Sequence, residues 1–165
     1  EFICRASNKY CGTIRLIRII GEKMTNWPAP LTIIINEFKE CFDRMERYEL
    51  LFEYAEKLPH ELQTEKWTEE NRVKGCQSEA HVECKLDGNG GFQIHGAADA
   101  NLVQGLIAIL AIGVDGLPPS QVASLSPNFV DEMDVKASLT PSRANGFLNM
   151  FEMIRNTAAN MSEGA

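Results

Sequence analysis

Apolar residues recur at helical spacing at Ile34, Ile35, Phe38, Cys41, Phe42 and Met45, with Glu37, Lys39, Glu40 and Asp43 between them. Repeats of three and four place such residues on one face, so the stretch after the proline-containing lead-in 24–30 predicts an amphipathic helix. A second helix follows, with Tyr48, Leu51, Phe52 and Ala55 as its apolar face and Leu58-Pro59 as its end. Cys41 falls on the apolar stripe of the first helix and reads as a small core residue. Residues 60–70 are polar and form a connection. From Ala80 the period changes to two: Ala80, Val82, Cys84 and Leu86 alternate with Glu79, His81, Glu83 and Lys85, which predicts a strand with one buried and one wet face. Asp87-Gly88-Asn89-Gly90-Gly91 supplies residues tolerant of positive φ, and Phe92 and Ile94 resume the alternation, so a β-hairpin is predicted. The glycines do not form a phosphate loop, because they open no helix and carry neither the P-loop lysine nor a dinucleotide fingerprint.

Asp99 reads as the N-cap of a strongly apolar helix, in which Leu102, Val103, Leu106, Ile107, Ile109, Leu110 and Ile112 surround the axis. This predicts the central core helix. Gly105 inside it lowers helix propensity by about 1 kcal/mol against alanine and predicts close packing against the hairpin or the cysteine-bearing loop before it. Pro118–Val122 reads as a loop and a short helix start, and 127–134 as irregular. Pro141 then opens a terminal amphipathic helix carrying Phe147, Met150, Phe151 and Ile154. Helices, a strand pair and more helices, in that order, predict an α+β fold with helices packed on an antiparallel sheet.

The 165 residues suit one domain with a sizeable core. A net charge of −7 argues against nucleic acid as a partner, since phosphate binding needs lysines and arginines clustered on one face. No stretch qualifies as transmembrane: the apolar run 14–20 is short and broken by arginines. Residues 1–23 hold five Lys/Arg against two Asp/Glu, a charge of +3, which leaves −10 for the rest. They are set apart as an N-terminal extension, with 24–165 as the single domain and Met24 as a natural start. The extension reads either as upstream or added sequence, or as an organellar transit segment. Basic character favours transit, whereas few serines and a start without Met oppose it. The five cysteines (Cys4, Cys11, Cys41, Cys76, Cys84) form no C-x-x-C pair and no zinc-type spacing with histidine. Reduced thiols in a reducing compartment, cytoplasmic or organellar, and no bound metal are therefore expected.

One stretch has no hydrophobic period and separates the helical first half from the strand pair: Thr68-Glu69-Glu70-Asn71-Arg72-Val73-Lys74-Gly75-Cys76-Gln77-Ser78. It predicts a loop carrying a thiol. Gly75 permits unusual backbone conformations and leaves room beside the sulfur. Arg72 and Lys74 favour thiolate, the reactive form. His81 is the nearest candidate base, but five extended residues place it beyond about 10 Å, so a solvated strand histidine is the expectation. Cys84 points to the core side and reads as packed rather than as a resolving partner.

The run Glu70-Asn71-Arg72-Val73-Lys74-Gly75-Cys76-Gln77-Ser78 closely resembles the active-cysteine loop of SufE-like proteins (the SufE/CsdE family), sulfur acceptors of iron–sulfur cluster assembly. Asp99–Leu106 is similar to that family's middle helix, and Leu139-Thr140-Pro141-Ser142-Arg143-Ala144-Asn145-Gly146-Phe147 to its C-terminal motif. The likeness runs from about Leu31 to Arg155. It implies a SufE/IscU-like fold, a small curved antiparallel sheet covered by helices, with a third strand that the pattern here does not locate. It also implies that a pyridoxal-phosphate cysteine desulfurase of the SufS/CsdA kind forms a persulfide, that Cys76 takes its outer sulfur, and that an iron–sulfur scaffold complex receives it. Pyridoxal phosphate belongs to the partner, and no cofactor is expected on this chain. Arg72, Lys74, Gly75, Gln77, Ser78 and Arg143 are the expected partner-binding or loop-supporting residues, although Arg143 could instead pair with Asp131 or Glu132. Many family members carry Trp where His81 stands, an acidic and a hydroxyl residue at Ala97 and Ala98, and a basic one at Gln104. The competing readings are a cluster scaffold, which needs several converging thiolates, a Cys-His hydrolase, which lacks a base, and a module that regulates a desulfurase without carrying sulfur. Cys76 is expected to turn inward at rest, against the helix after Asp99, because exchange of a persulfide depends on access.

Overall fold

The computed structural model describes residues 27–164; the extension 1–23, Met24, Cys4 and Cys11 lie outside them. Helix α1 (Ala29–Glu40) buries Ile34, Ile35 and Phe38, as its period predicts, together with Leu31 one turn earlier. It stops earlier than expected. Cys41 turns extended (φ −64°, ψ 123°), and Asp43 caps α2 (Arg44–Glu56) by accepting the N–H groups of Met45 (2.8 Å) and Glu46 (3.0 Å). Glu46 accepts the N–H of Phe42, the residue before the cap, at 2.6 Å, so its side chain also fixes the corner. The corner so formed leaves Phe42 90% and Met45 61% exposed, and it places Cys41 half-exposed beyond the helix end instead of in the core. On α2, Leu51 and Ala55 are buried as expected, but Tyr54 takes the inner position assigned to Phe52, which is exposed.

Helix α3 (Asn101–Val114) is the core helix that its composition predicts, buried on nearly every side between α1, α2 and the sheet. Gly105 makes a close approach, but to a different neighbour: it faces the backbone carbonyl of Leu51 in α2, not the hairpin or the cysteine loop. Asp99 does not cap α3. The cap position is Ala100, and Asp99 is tied to Glu79 instead. Short helices α4 (Pro119–Ala123), α5 (Phe129–Glu132) and α6 (Val135–Ser138) follow, α5 lying within the stretch 127–134 read as irregular and α6 directly after it. They lead to α7 (Pro141–Glu163), with Pro141 in its first turn and Phe147, Met150, Phe151 and Ile154 buried. Phe129 meets Phe151 and Phe147 edge-on at 5.1 and 6.4 Å, which locks α5 to α7.

Strands β1 (Ala80–Leu86) and β2 (Phe92–Ala98) pair antiparallel, Ala80 opposite Ala98 and Leu86 opposite Phe92. Asp87 closes their turn by accepting from the N–H groups of Asn89 and Gly91, with Gly90 at φ +81°. Among the described residues the sheet has two strands. In place of a third, Arg72 bridges His81 and Glu61 bridges Gly96, each a single pair. Neither flank extends, because the chain turns at Gly75 on one side and enters a 3₁₀ turn (Thr64–Lys66) on the other. The alternation of β1 fails at both ends: Leu86 is 45% exposed, and His81 is buried. Trp67, arriving from the preceding connection, covers the face that the pattern leaves wet.

Candidate functional site

The cysteine loop is the closed end of a hairpin-like turn. Its incoming limb pairs with β1 through Val73 N–H to Ala80 O and Val82 N–H to Asn71 O, both 2.8 Å. Its outgoing limb is fixed at Glu79, whose carbonyl accepts from Asp99 N–H at 3.0 Å and whose N–H donates to the Asp99 carboxylate at 3.1 Å. Asn71 braces the base: its Oδ1 accepts from Thr68 N–H (3.0 Å), and its Nδ2 donates to Lys66 O (2.8 Å). The reversal needs Gly75, which stands at φ +76°.

The tip lies on α7. Cys76 is half-buried, and a β-carbon added to Gly146 would stand 3.3 Å from Cys76 Cα and 3.4 Å from its Cβ and Sγ. The absent side chain of Gly146 is therefore the space that the cysteine occupies. One turn on, Asn149 Nδ2 donates to Lys74 O at 3.1 Å and would lie only 2.5 Å from a β-carbon at Gly75. The sulfur thus turns inward against α7, not against α3 as expected. Residues 146 and 149 are the part of the site to which the hydrophobic pattern assigns no role. A glycine inside an otherwise helical run, the signal used for Gly105, marks Gly146 equally well.

The cationic residues surround this seat. Arg72 is exposed and pairs with Glu69 at 3.3 Å, and Lys74 is exposed beside it. Together with Glu70, Asn149 and Met153 they line an open groove of about 250 Å³. Arg143 lies one turn before Gly146 on α7; Asp131 is held by Lys136, and Glu132 by Lys39 and Trp27, so neither takes Arg143 as its ion-pair partner. Gln77 is exposed and Ser78 half-buried on the outgoing side. His81 is not a solvated strand histidine. It is 3% exposed, stacks on Trp67 with centroids 4.7 Å apart, and has Nδ1 2.7 Å from Asn71 Oδ1 and Nε2 3.4 Å from Glu79 Oε1. Both ring nitrogens are engaged at the loop's base, so the ring braces the loop and does not serve Cys76 as a base.

Cys84 is half-buried in a cleft it shares with Thr68, Glu70 and Asn71, and burial pushes its thiol up to about 12, with the Glu83 carboxylate adding to the shift. Burial and the carboxylates of Glu46, Asp43 and Glu37 likewise push the Cys41 thiol up. Neither is poised to be a nucleophile. Among the described residues, no group of three or more His, Cys, Asp or Glu is arranged to hold a metal, and no helix is long and apolar enough to cross a membrane.

Residues 32–158 match the family model described as SufE, Fe-S metabolism associated domain. The chain belongs to the SufE family. It is 38% identical over 131 residues to an uncharacterised SufE-like protein of Synechocystis sp., covering 79% of this chain and 81% of that one. It is 31% identical over 134 residues to SufE-like protein 1, chloroplastic/mitochondrial, of Arabidopsis thaliana, covering 81% of this chain but 36% of that longer protein. The solution structure of a hypothetical protein from Thermus thermophilus superposes with a TM-score of 0.70 at 23% identity, over 84% of this chain and 99% of that one. The SufE fold is therefore this chain's fold, and its role lies in iron–sulfur metabolism. Each of the three family-like motifs maps onto the site: the loop itself, the residue that anchors its outgoing limb, and the helix that seats the sulfur.

Proposed function

We propose that this SufE-family protein accepts sulfur from a cysteine desulfurase on Cys76, stimulates that enzyme by clearing it, and delivers the sulfur to an iron–sulfur scaffold complex. The observation that carries the reading is the presentation of Cys76: a thiol at the tip of a loop fixed at both ends, half-buried on a glycine, beside an open groove with two cations. The Cys76 thiolate attacks the outer sulfur of the donor's persulfide. The donor's S–S bond breaks, its cysteine leaves as thiolate, and Cys76 holds the persulfide, with no net oxidation. Arg72, Lys74 and Arg143 form the surface that meets the partner, in a reducing compartment, cytoplasmic or organellar. Pyridoxal phosphate resides on the desulfurase.

The test is intact-mass measurement and peptide mapping after incubation with a desulfurase and cysteine. One added sulfur on the Cys76 peptide is the expected result, with Cys41 and Cys84 unmodified. Persulfide on Cys84 instead would overturn the assignment. A Cys76→Ser variant that stimulates the desulfurase as well as the parent would establish the alternative, a regulatory module that carries no sulfur.

A further inference from the structure

His81 joins the two limbs of the cysteine loop, and the proton on its Nε2 decides whether the second join holds. The orientation of the Asn71 amide is set by two backbone groups, since Oδ1 accepts from Thr68 N–H and Nδ2 donates to Lys66 O. The oxygen is thus the atom that faces His81, and Nδ1, 2.7 Å away, brings the proton. Nε2 then faces Glu79 Oε1 at 3.4 Å. A carboxylate only accepts, so this contact attracts when Nε2 is protonated and is two opposed lone pairs when it is not. The Trp67 ring, stacked 20° from parallel, offers a face that favours the cation. Of the other charged groups nearby, Glu83, two residues on along the same strand face, pairs with Lys85 at 3.2 Å. Arg72, across the bridge, directs its guanidinium to Glu69, and Asp99 receives the N–H of Glu79. Ala97, opposite His81 on β2, carries no charge.

We propose that His81 is a positioning residue that latches the loop in a charge-dependent manner. As imidazolium it ties Asn71 on the incoming limb to Glu79 on the outgoing limb and keeps Cys76 on Gly146. As neutral imidazole it keeps the Asn71 bond and releases the Glu79 side chain, which is half exposed and turns to water. The outgoing limb loosens, and the sulfur leaves its seat more often. The inference concerns the resting loop and does not depend on Cys76 carrying sulfur.

The experiment is site-resolved alkylation of Cys76 by iodoacetamide, an uncharged reagent, in the full chain from about pH 5.5 to about pH 8.5. Parent and Glu79→Gln are compared at each pH, so that the thiol's own ionisation cancels in their ratio. The expected ratio of Glu79→Gln to parent is roughly twofold to fivefold at the acid end, the effect of a half-exposed charge pair, falling to about one at the alkaline end. His81→Gln should match Glu79→Gln in having no latch-dependent inflection, while retaining a donor for Asn71. A ratio that stays flat across the range overturns the proposal, even if His81→Gln proves too unstable to assay. Because no desulfurase is present, this outcome is separate from failure to find sulfur on Cys76.

Discussion

Filling the space that Gly146 leaves open should release Cys76 without unfolding the protein. Two contacts hold the loop tip to α7: the packed side chain of Cys76, and the hydrogen bond from Asn149 to Lys74 O. Burying a methylene-sized group stabilises by about 0.8 kcal/mol, and an ordinary hydrogen bond contributes about 1 kcal/mol net. The tip is therefore held by about 2 kcal/mol, a factor of roughly thirty between seated and unseated forms. In Gly146→Ala the new methyl meets Cys76 at 3.3–3.4 Å, a misfit of a few tenths of an ångström, and Cys76 alkylation should rise a few-fold. In Gly146→Leu the side chain occupies the sulfur's place outright. The rise should then reach about tenfold to thirtyfold, the larger part of the holding free energy. Global stability should change little, because replacing a helical glycine gains up to about 1 kcal/mol of propensity that offsets the lost contact. The assay pairs alkylation kinetics, read on the Cys76 peptide, with urea unfolding. A Gly146→Leu protein with native-like unfolding and the parent's alkylation rate would refute the seat, and the alanine variant decides the matter if the leucine variant does not fold.

Two further outcomes follow from the packing. Gly105→Ala should destabilise by about 1–3 kcal/mol in urea unfolding despite its better helix propensity, because its methyl would overlap the Leu51 carbonyl and force α2 from α3; a gain in stability would contradict the close approach. Cys84 should stay unalkylated in the native protein at pH 8 and react in urea. Because its folded value is raised to about 12 from an ordinary 9.0, the stability it contributes is fully present below about pH 9 and lost as pH rises toward 12. Cys84→Ala should flatten part of that fall, with Tyr54, whose phenol burial and Glu37 raise, and the Cys41 thiol contributing to what is left. An unchanged alkaline slope in Cys84→Ala would remove the thiol from the account.

The elements that a local period can encode are legible in the amino-acid pattern: α1, α2, the hairpin, the apolar α3 and the terminal helix stand where alternation or three-four spacing places them. The departures share a cause, which is that a side chain's surroundings are set by a segment remote in sequence. His81 has the polar neighbours of a wet strand face, but Trp67 covers it. Asp99 has the position of a helix cap, but Glu79, twenty residues earlier, claims it. Cys76 stands on a loop as its neighbours predict, whereas its resting place depends on Gly146, to which no local rule connects it. The break after α1 is different in kind. Asp43 and Glu46 have the spacing of a capping box, and a period of apolar residues running through them masks a signal that is present.

The fixed base of the loop also limits its reach. Val73 is bonded to Ala80 and Glu79 to Asp99, so the movable part is the five residues from Lys74 to Ser78, with Cys76 third. Three residues at full stretch span about 10 Å, and the sulfur cannot travel farther than that from its anchorage. On the proposed sulfur-carrying role, an arm this short cannot shuttle cargo between distant stations on one assembly. Donor and recipient would each have to come to the same small area of this protein's surface and take turns there. Release from the first is then a compulsory step before delivery to the second, and the rate of that exchange sets an upper bound on throughput.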